Sequence, residues 1–279
     1  MAFDLLFYSD PFAEYLSTAE QVTTISSEKC VSGLTIVDYK LYVIHFESPD
    51  LMIYHTEPVV RPYRRVPLTA LEPQDITSCS TNKCLYVCDW NTCHVLRLEL
   101  NGTEIVRWKL KDKPGGLSVN SRMNVLVSCP GTRQIIECTP EGNQVKVIQL
   151  SKDLDKPWHA VQLTSSSRLA VSCWHRIWII EETGAPVQSH GSLAGSHLTQ
   201  VNSPSHLALD GNDVIVVADT NNDRLKLLGA SMECRELSAG GYQATTTMKS
   251  PRRLLFDRMS RLLYIGLIDG NILVYRIMI

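Results

Sequence analysis

Residues 203–228, SPSHLALDGNDVIVVADTNNDRLKLL, open on a proline-led apolar run and turn at Gly211-Asn212-Asp213. A second apolar run then ends in Ala-Asp, and after another turn at Thr220–Asp223 the stretch closes on RLKLL. β-branched and apolar residues between Gly, Asn and Asp clusters read as successive antiparallel strands. The leading proline recurs at Pro73, Pro114, Pro157, Pro204 and Pro251, in steps of 41, 43, 47 and 47 residues. A sixth copy without its proline, VSGLTIV, starts at Val31, 42 residues before Pro73.

Each copy carries a second run: KLYVIH, CLYVCD, NVLVSC, RLAVSC, VIVVAD and LLYIGL. A third run follows another short loop: LMIYHT, HVLRLEL, QIIECT, RIWIIEE, RLKLLG and NILVYR. EIVRWKL, QVKVIQL and CRELSA supply fourth runs before the next copy. A period of forty-odd residues holding a four-strand meander is the pattern of a β-propeller blade, so the chain predicts an all-β, six-bladed β-propeller of four-stranded antiparallel blades. The last copy reaches Ile279 after three strands, and QVTTIS at residues 21–26 stands where a spare outer strand would close the ring. The propeller is thus expected over residues 21–279. Residues 1–20 form an N-terminal extension, in which Asp10 as N-cap and Pro11 at the first helical position predict a short helix.

The fifth copy resembles an NHL repeat: a proline, a short strand ending near Asp, an apolar pair before Ala-Asp, then Asn and Arg. PQDITSCSTNKCLYVCDWNTCHVLRL follows the same order in the second copy. Neither a recurring Trp-Asp ending nor a kelch-like double glycine is present. The resemblance implies a six-bladed ring like the NHL domain of tripartite-motif proteins, and more distantly the six-bladed lyase, lactonase and strictosidine-synthase-like propellers. It implies protein- or RNA-binding platforms on the one hand and small-molecule enzymes on the other. No RING, B-box or coiled-coil segment accompanies it.

In such a ring the loop before the innermost strand and the loop after the second strand open on one face, where function is expected. The second residue after each aligned proline falls at the channel mouth and reads Gly33, Asp75, Gly116, His159, His206 and Arg253 around the ring. The start of the other loop reads His45, Asp89, Cys129, Cys173, Asp219 and Leu267. Lys113, Lys156, Lys249, Arg252 and Arg253 form a basic arc interleaved with Trp90, Trp158 and Trp174 and joined by His175 and Arg176, a set suited to phosphates and stacked bases or to an acidic peptide. RPYRR from Arg61 reads as a separate basic patch on the rim. Asp219, Asn221 and Asn222 read as loop-capping residues.

Composition excludes several classes. Twenty-seven basic against 29 acidic residues give a net charge of −2, so no global field draws the chain to nucleic acid. The longest apolar run, NILVYRIMI, is too short to span a bilayer. Nine cysteines without framework spacing favour reduced thiols and a cytoplasmic, monomeric protein with no membrane association. In that compartment the Asn101-Gly102-Thr103 acceptor stays unused. Cys79, Cys84, Cys88 and Cys93 cannot hold one zinc, because Cys84 and Cys88 lie about 13 Å apart at ~3.3 Å per strand residue. Cys79 with Cys84 and Cys88 with Cys93 are expected as cross-strand pairs, as thiols or a labile disulfide. A metal is not required, and His159 and His206 are the weak candidates for one. No cofactor is required either.

Two functions remain open. One is a non-catalytic platform gripping a protein or single-stranded RNA at the channel-mouth face. The other is a small-molecule enzyme in which His159 and His206 act as general base or metal ligands, Asp75 orients and Arg253 anchors an anion. GSLAG at 191–195 has the wrong spacing for a nucleophile elbow.

Overall fold

The computed structural model describes residues 19–27, 29–57, 59–229, 231–237 and 248–277. The helix expected within residues 1–20 lies outside them, apart from the last two residues, which begin a strand. The described chain is a closed ring of six four-stranded antiparallel sheets. The innermost strands are β2 (Val31–Val37), β6 (Pro73–Cys79), β10 (Gly116–Val119), β14 (His159–Gln162), β18 (Pro204–Leu209) and β22 (Pro251–Asp257). The second strands are β3 (Lys40–His45), β7 (Cys84–Asp89), β11 (Val125–Cys129), β15 (Leu169–Cys173), β19 (Ile215–Asp219) and β23 (Leu262–Leu267). They end on the six residues expected to start the second loop.

The first five blades are completed by β4 (Asp50–His55) and β5 (Arg61–Pro67), β8 (His94–Glu99) and β9 (Glu104–Lys109), β12 (Gln134–Cys138) and β13 (Gln144–Gln149), β16 (Arg176–Ile180) and β17 (Pro186–His190), and β20 (Arg224–Leu228) and β21 (Cys234–Leu237). In the sixth blade, β24 (Ile272–Ile277) pairs antiparallel with β1 (Ala19–Ile25), so the N-terminal strand closes the ring as expected. The RPYRR stretch is an outer strand, β5, with five exposed residues in succession.

The core is not one centre but six, one between each pair of neighbouring blades. In β7, Leu85 and Val87 pack toward the first blade while Tyr86 and Cys88 pack toward the third. Both faces of a second strand are therefore buried, which is why runs such as CLYVCD are apolar at nearly every position instead of alternating. Tyr42, Tyr86 and Tyr264 hold equivalent places in three blades and are among the largest fully buried side chains.

All nine cysteines are free. Cys79 and Cys84 stand directly opposite each other. Cys88 instead faces Asp75 and Val95, with Asp89 opposite His94, so the expected Cys88–Cys93 cross-strand pair does not form. The four-residue turn 90–93 takes up Cys93 and leaves it outside the ladder.

Candidate functional site

The innermost strand of each blade leaves one edge without a ladder partner, and its N–H and C=O groups face the axis. Register shifts at Val31/Gly33, Pro73/Asp75, Pro204/Leu207 and Pro251/Arg253 mark a recurring irregularity at the mouth. There the side chains of Asp75, His159, His206 and Arg253 converge, and all four are buried.

Most of their polar atoms are spent on backbone groups of other blades. Leu117 N–H donates to Asp75 Oδ2 at 2.8 Å, and Leu207 N–H donates to His159 Nδ1 at 3.3 Å. Leu254 N–H donates to His206 Nδ1 at 3.4 Å. Arg253 crosses from the sixth blade to the first and second, donating to the carbonyls of Ser32 at 2.5 Å and Gln74 at 2.7 Å. Because both imidazoles accept at Nδ1, their protons sit on Nε2. His159 gives its proton to Leu117 O at 3.1 Å, and His206 points its own at Asp75 Oδ2, 3.6 Å away. The two rings stack with centroids 3.8 Å apart, and Arg253 Nε lies 3.4 Å from Asp75 Oδ1.

Electrostatics follow from this closure. Burial pushes the Asp75 carboxyl up, but the Arg253 guanidinium and then His206 outweigh it, leaving the group at about 2. Burial, then the neighbouring His206, holds His159 well below the usual imidazole range, and burial lowers His206 against the pull of Asp75. Burial also lowers His45, to about 4, and lowers His175 and His190. Groups kept neutral in the fold but protonated in the unfolded chain make stability fall with acid. The expected result is full stability above pH 6.5, with a loss below it of up to about 1.4 kcal/mol per pH unit for each of the fully buried His159 and His206. Denaturant titration between pH 7.5 and 4.5 checks this, and His206→Gln removes one proton's worth of the slope.

Asp75, His159 and His206 offer donor atoms within 4.8 Å of one another, the compact three-ligand group among the described residues. A cation there would have to displace backbone N–H groups from both Nδ1 atoms and share Asp75 with Arg253, so these donors fit a metal poorly.

The four side chains close the channel instead of lining an open mouth. Beyond them a cavity of about 570 Å³ opens toward the opposite face, with His159 and His206 among its lining and Asn120, Gln162, Thr164, Asp257 and Arg258 farther along. Gly33 and Gly116 occupy the two remaining positions of the mouth ring because the strands come too close there for a side chain. A Cβ on Gly33 would lie 2.7 Å from Ile76 N, and one on Gly116 would lie 2.6 Å from Trp158 O.

The basic and aromatic candidates lie in the loops of the mouth face. Trp90 and Trp158 stack with centroids 5.9 Å apart, and Lys113 Nζ sits 5.1 Å from the Trp90 centroid. Lys156 Nζ lies 3.6 Å over Trp174, which is 42% exposed and edge-on to His175. Arg252 is half-buried and stands over Phe46 at 5.6 Å. Arg176 lies against Trp178 at 5.5 Å. His45 is buried, and its Nε2 has no hydrogen-bond partner among the described residues.

Sequence reasoning missed Phe46, although a signal was present. Reading one residue past each second strand gives Phe46, Trp90, Pro130, Trp174, Thr220 and Ile268, apolar at every position around the same face except Thr220. Asp89 and Asp219 act as loop clamps: Asp89 accepts from Leu71 N and Glu72 N, and Asp219 from Asn202 N and Arg224 Nε.

No family model matches the chain, and no curated protein matches it. Among solved structures, the chain is similar to a catalytically inactive virginiamycin B lyase from Staphylococcus aureus with quinupristin. The TM-score is 0.67 at 10% identity, over 93% of this chain and 100% of that one. A streptogramin B lyase aligns with a TM-score of 0.66 at 13% identity, over 93% and 97%. A structural genomics protein of unknown function from Bacteroides thetaiotaomicron aligns with a TM-score of 0.75 at 12% identity, over 92% and 72%. At these identities the likeness establishes the six-bladed propeller fold, and the NHL-like pattern of the second and fifth copies remains a resemblance.

Proposed function

We infer that the protein is a non-catalytic binding platform whose mouth face grips a protein or single-stranded RNA partner through Trp90, Trp158 and Trp174, with Lys113 and Lys156 beside them. The observation that carries this reading is the division of labour at the mouth. The titratable groups that could do chemistry are buried and bonded to backbone, while the loops around them hold the exposed ring of Trp174 and the half-buried rings of Trp90 and Trp158, flanked by cations. A general base needs a free lone pair within reach of substrate, and both Nδ1 atoms already accept backbone hydrogens. Flat rings and nearby ammonium groups suit base stacking and phosphate contact, or an acidic peptide with aromatic anchors.

Fluorescence anisotropy with a labelled uridine oligonucleotide and, separately, a labelled acidic peptide tests the platform. Trp158→Ala is expected to weaken binding by about 1–3 kcal/mol for each base it stacks. For RNA, Lys113→Ala with Lys156→Ala should flatten the plot of log affinity against log salt by about 0.7 for each phosphate no longer neutralised. Affinity that ignores all three changes in both assays would sink the reading.

The cavity of the opposite face is the observation that favours an enzyme, since His159 and His206 line it. Substrate would then enter from that face. Under the platform reading, His159→Gln changes acid stability and leaves binding at the mouth face intact.

A further inference from the structure

Blade five buries a lysine beside a thiol. Lys226, in the middle of β20, has no exposed surface, and its ε-amino group donates to the carbonyl of Leu198 and toward Cys234 Sγ at 3.7 Å. Cys234 lies on the outer strand β21, diagonal to Lys226 across the pair, since Lys226 faces Glu236 and Leu228 faces Cys234. The sulfur belongs to a half-buried residue at the rim, within reach of a small solute.

The neighbouring carboxylates belong to another cation. Arg224 holds Asp219 at 2.8 Å and Glu236 at 2.7 Å, and it also donates to the carbonyls of Ser196, His197 and Gln200. Among the described residues, Lys226 is left with one carbonyl and one sulfur. Burial lowers its affinity for a proton, and the same burial raises that of Cys234, which Lys226 then lowers. A lysine nitrogen whose proton affinity is lowered, in contact with a thiol, is the reactant pair for a nitrogen–sulfur bond once the thiol is oxidised.

We propose that Lys226 and Cys234 form a modification site at which hydrogen peroxide drives a covalent Lys–Cys crosslink between β20 and β21. The thiol passes its proton to the Lys226 amine, and the thiolate attacks one peroxide oxygen. The O–O bond breaks, and the departing hydroxide takes the ammonium proton and leaves as water. The Lys226 nitrogen then attacks the sulfenic sulfur. An N–S bond forms, the S–OH bond breaks, and the hydroxyl leaves as a second water with a proton from the amine. The thiol loses two electrons, peroxide gains them, and the protein loses two hydrogens. Contact at 3.7 Å makes the amine the nearest nucleophile, so capture outruns further oxidation of the sulfur. The crosslink also replaces the lysine donor that holds Leu198, and with it one tie on the loop of residues 191–203 between blades four and five.

The test is peptide mass spectrometry of the full chain after treatment with a few equivalents of hydrogen peroxide. The expected product is about 2 Da lighter, with the peptides of Lys226 and Cys234 joined, no tryptic cleavage after Lys226, and reversal by a thiol reductant. The same joined peptides about 14 Da heavier than the unmodified pair, with an oxygen from a second peroxide between nitrogen and sulfur, also support the site. Cys234→Ser should abolish the joined species, and Lys226→Met should divert Cys234 to sulfinic acid. Wild-type protein in which Cys234 becomes sulfinic acid, or stays a thiol, while trypsin still cuts after Lys226, overturns the proposal.

Discussion

Replacing Arg253 by alanine is expected to cost about 3–5 kcal/mol of stability, the usual penalty for stranding one partner of a buried ion pair. Asp75 is 1% exposed, and its ionised form is sustained first by the Arg253 guanidinium. The same substitution removes the donors that the carbonyls of Ser32 and Gln74 receive, so blade six loses its tie to blades one and two. Denaturant unfolding reads the loss. Combining Arg253→Ala with Asp75→Asn should recover part of it, since the neutral amide leaves no buried charge and can still accept from Leu117 N–H; the double-mutant cycle isolates the pairwise contribution. A loss under about 1 kcal/mol for the single change would mean that Asp75 is solvated and the channel open.

Gly116→Ala is the second large effect. The new Cβ would stand 2.6 Å from the carbonyl oxygen of Trp158 and 2.9 Å from Cδ2 of His159, both parts of the neighbouring blade. Neither can swing away: the oxygen is backbone, and the ring is held at both nitrogens. Overpacking of this kind costs about 1–3 kcal/mol. Because the displaced atoms include Trp158, the Trp90–Trp158 stack should shift too, visible as a changed near-ultraviolet circular dichroism band. Gly211→Ala is the control, since its Cβ would meet nothing within 4 Å among the described residues. Equal losses for the two glycines would show that close approach is not what keeps residue 116 small.

The ring was legible because its determinants are local and periodic. Aligned prolines, strand runs and turn clusters mark each blade, and the sixth copy's missing strand points to the segment that begins at Ala19. Position around the axis was legible too, since Asp75, His159, His206 and Arg253 do converge. Depth along the axis was not. Whether a side chain at the mouth faces solvent or its neighbour's backbone depends on the unpaired edge of the next blade, about 40 residues away, and no spacing rule encodes that. Cys88 and Cys93 misled for a related reason, because residues five apart read as a pair only when the turn lies midway between them. Lys226 was passed over inside RLKLL, where a cation among leucines on a strand buried at both faces was the signal to read.

The join between β1 and β24 bears on how the protein is made. Ala19 pairs with Ile277, so the sixth sheet needs strands from opposite ends of the described chain. During vectorial synthesis the first blades can dock as they emerge, but residues 19–25 wait as a single unpaired strand until the last strand leaves the ribosome. For that interval the nascent chain carries an open edge, and a delay in translating the sixth blade prolongs its exposure to chaperones and to other chains.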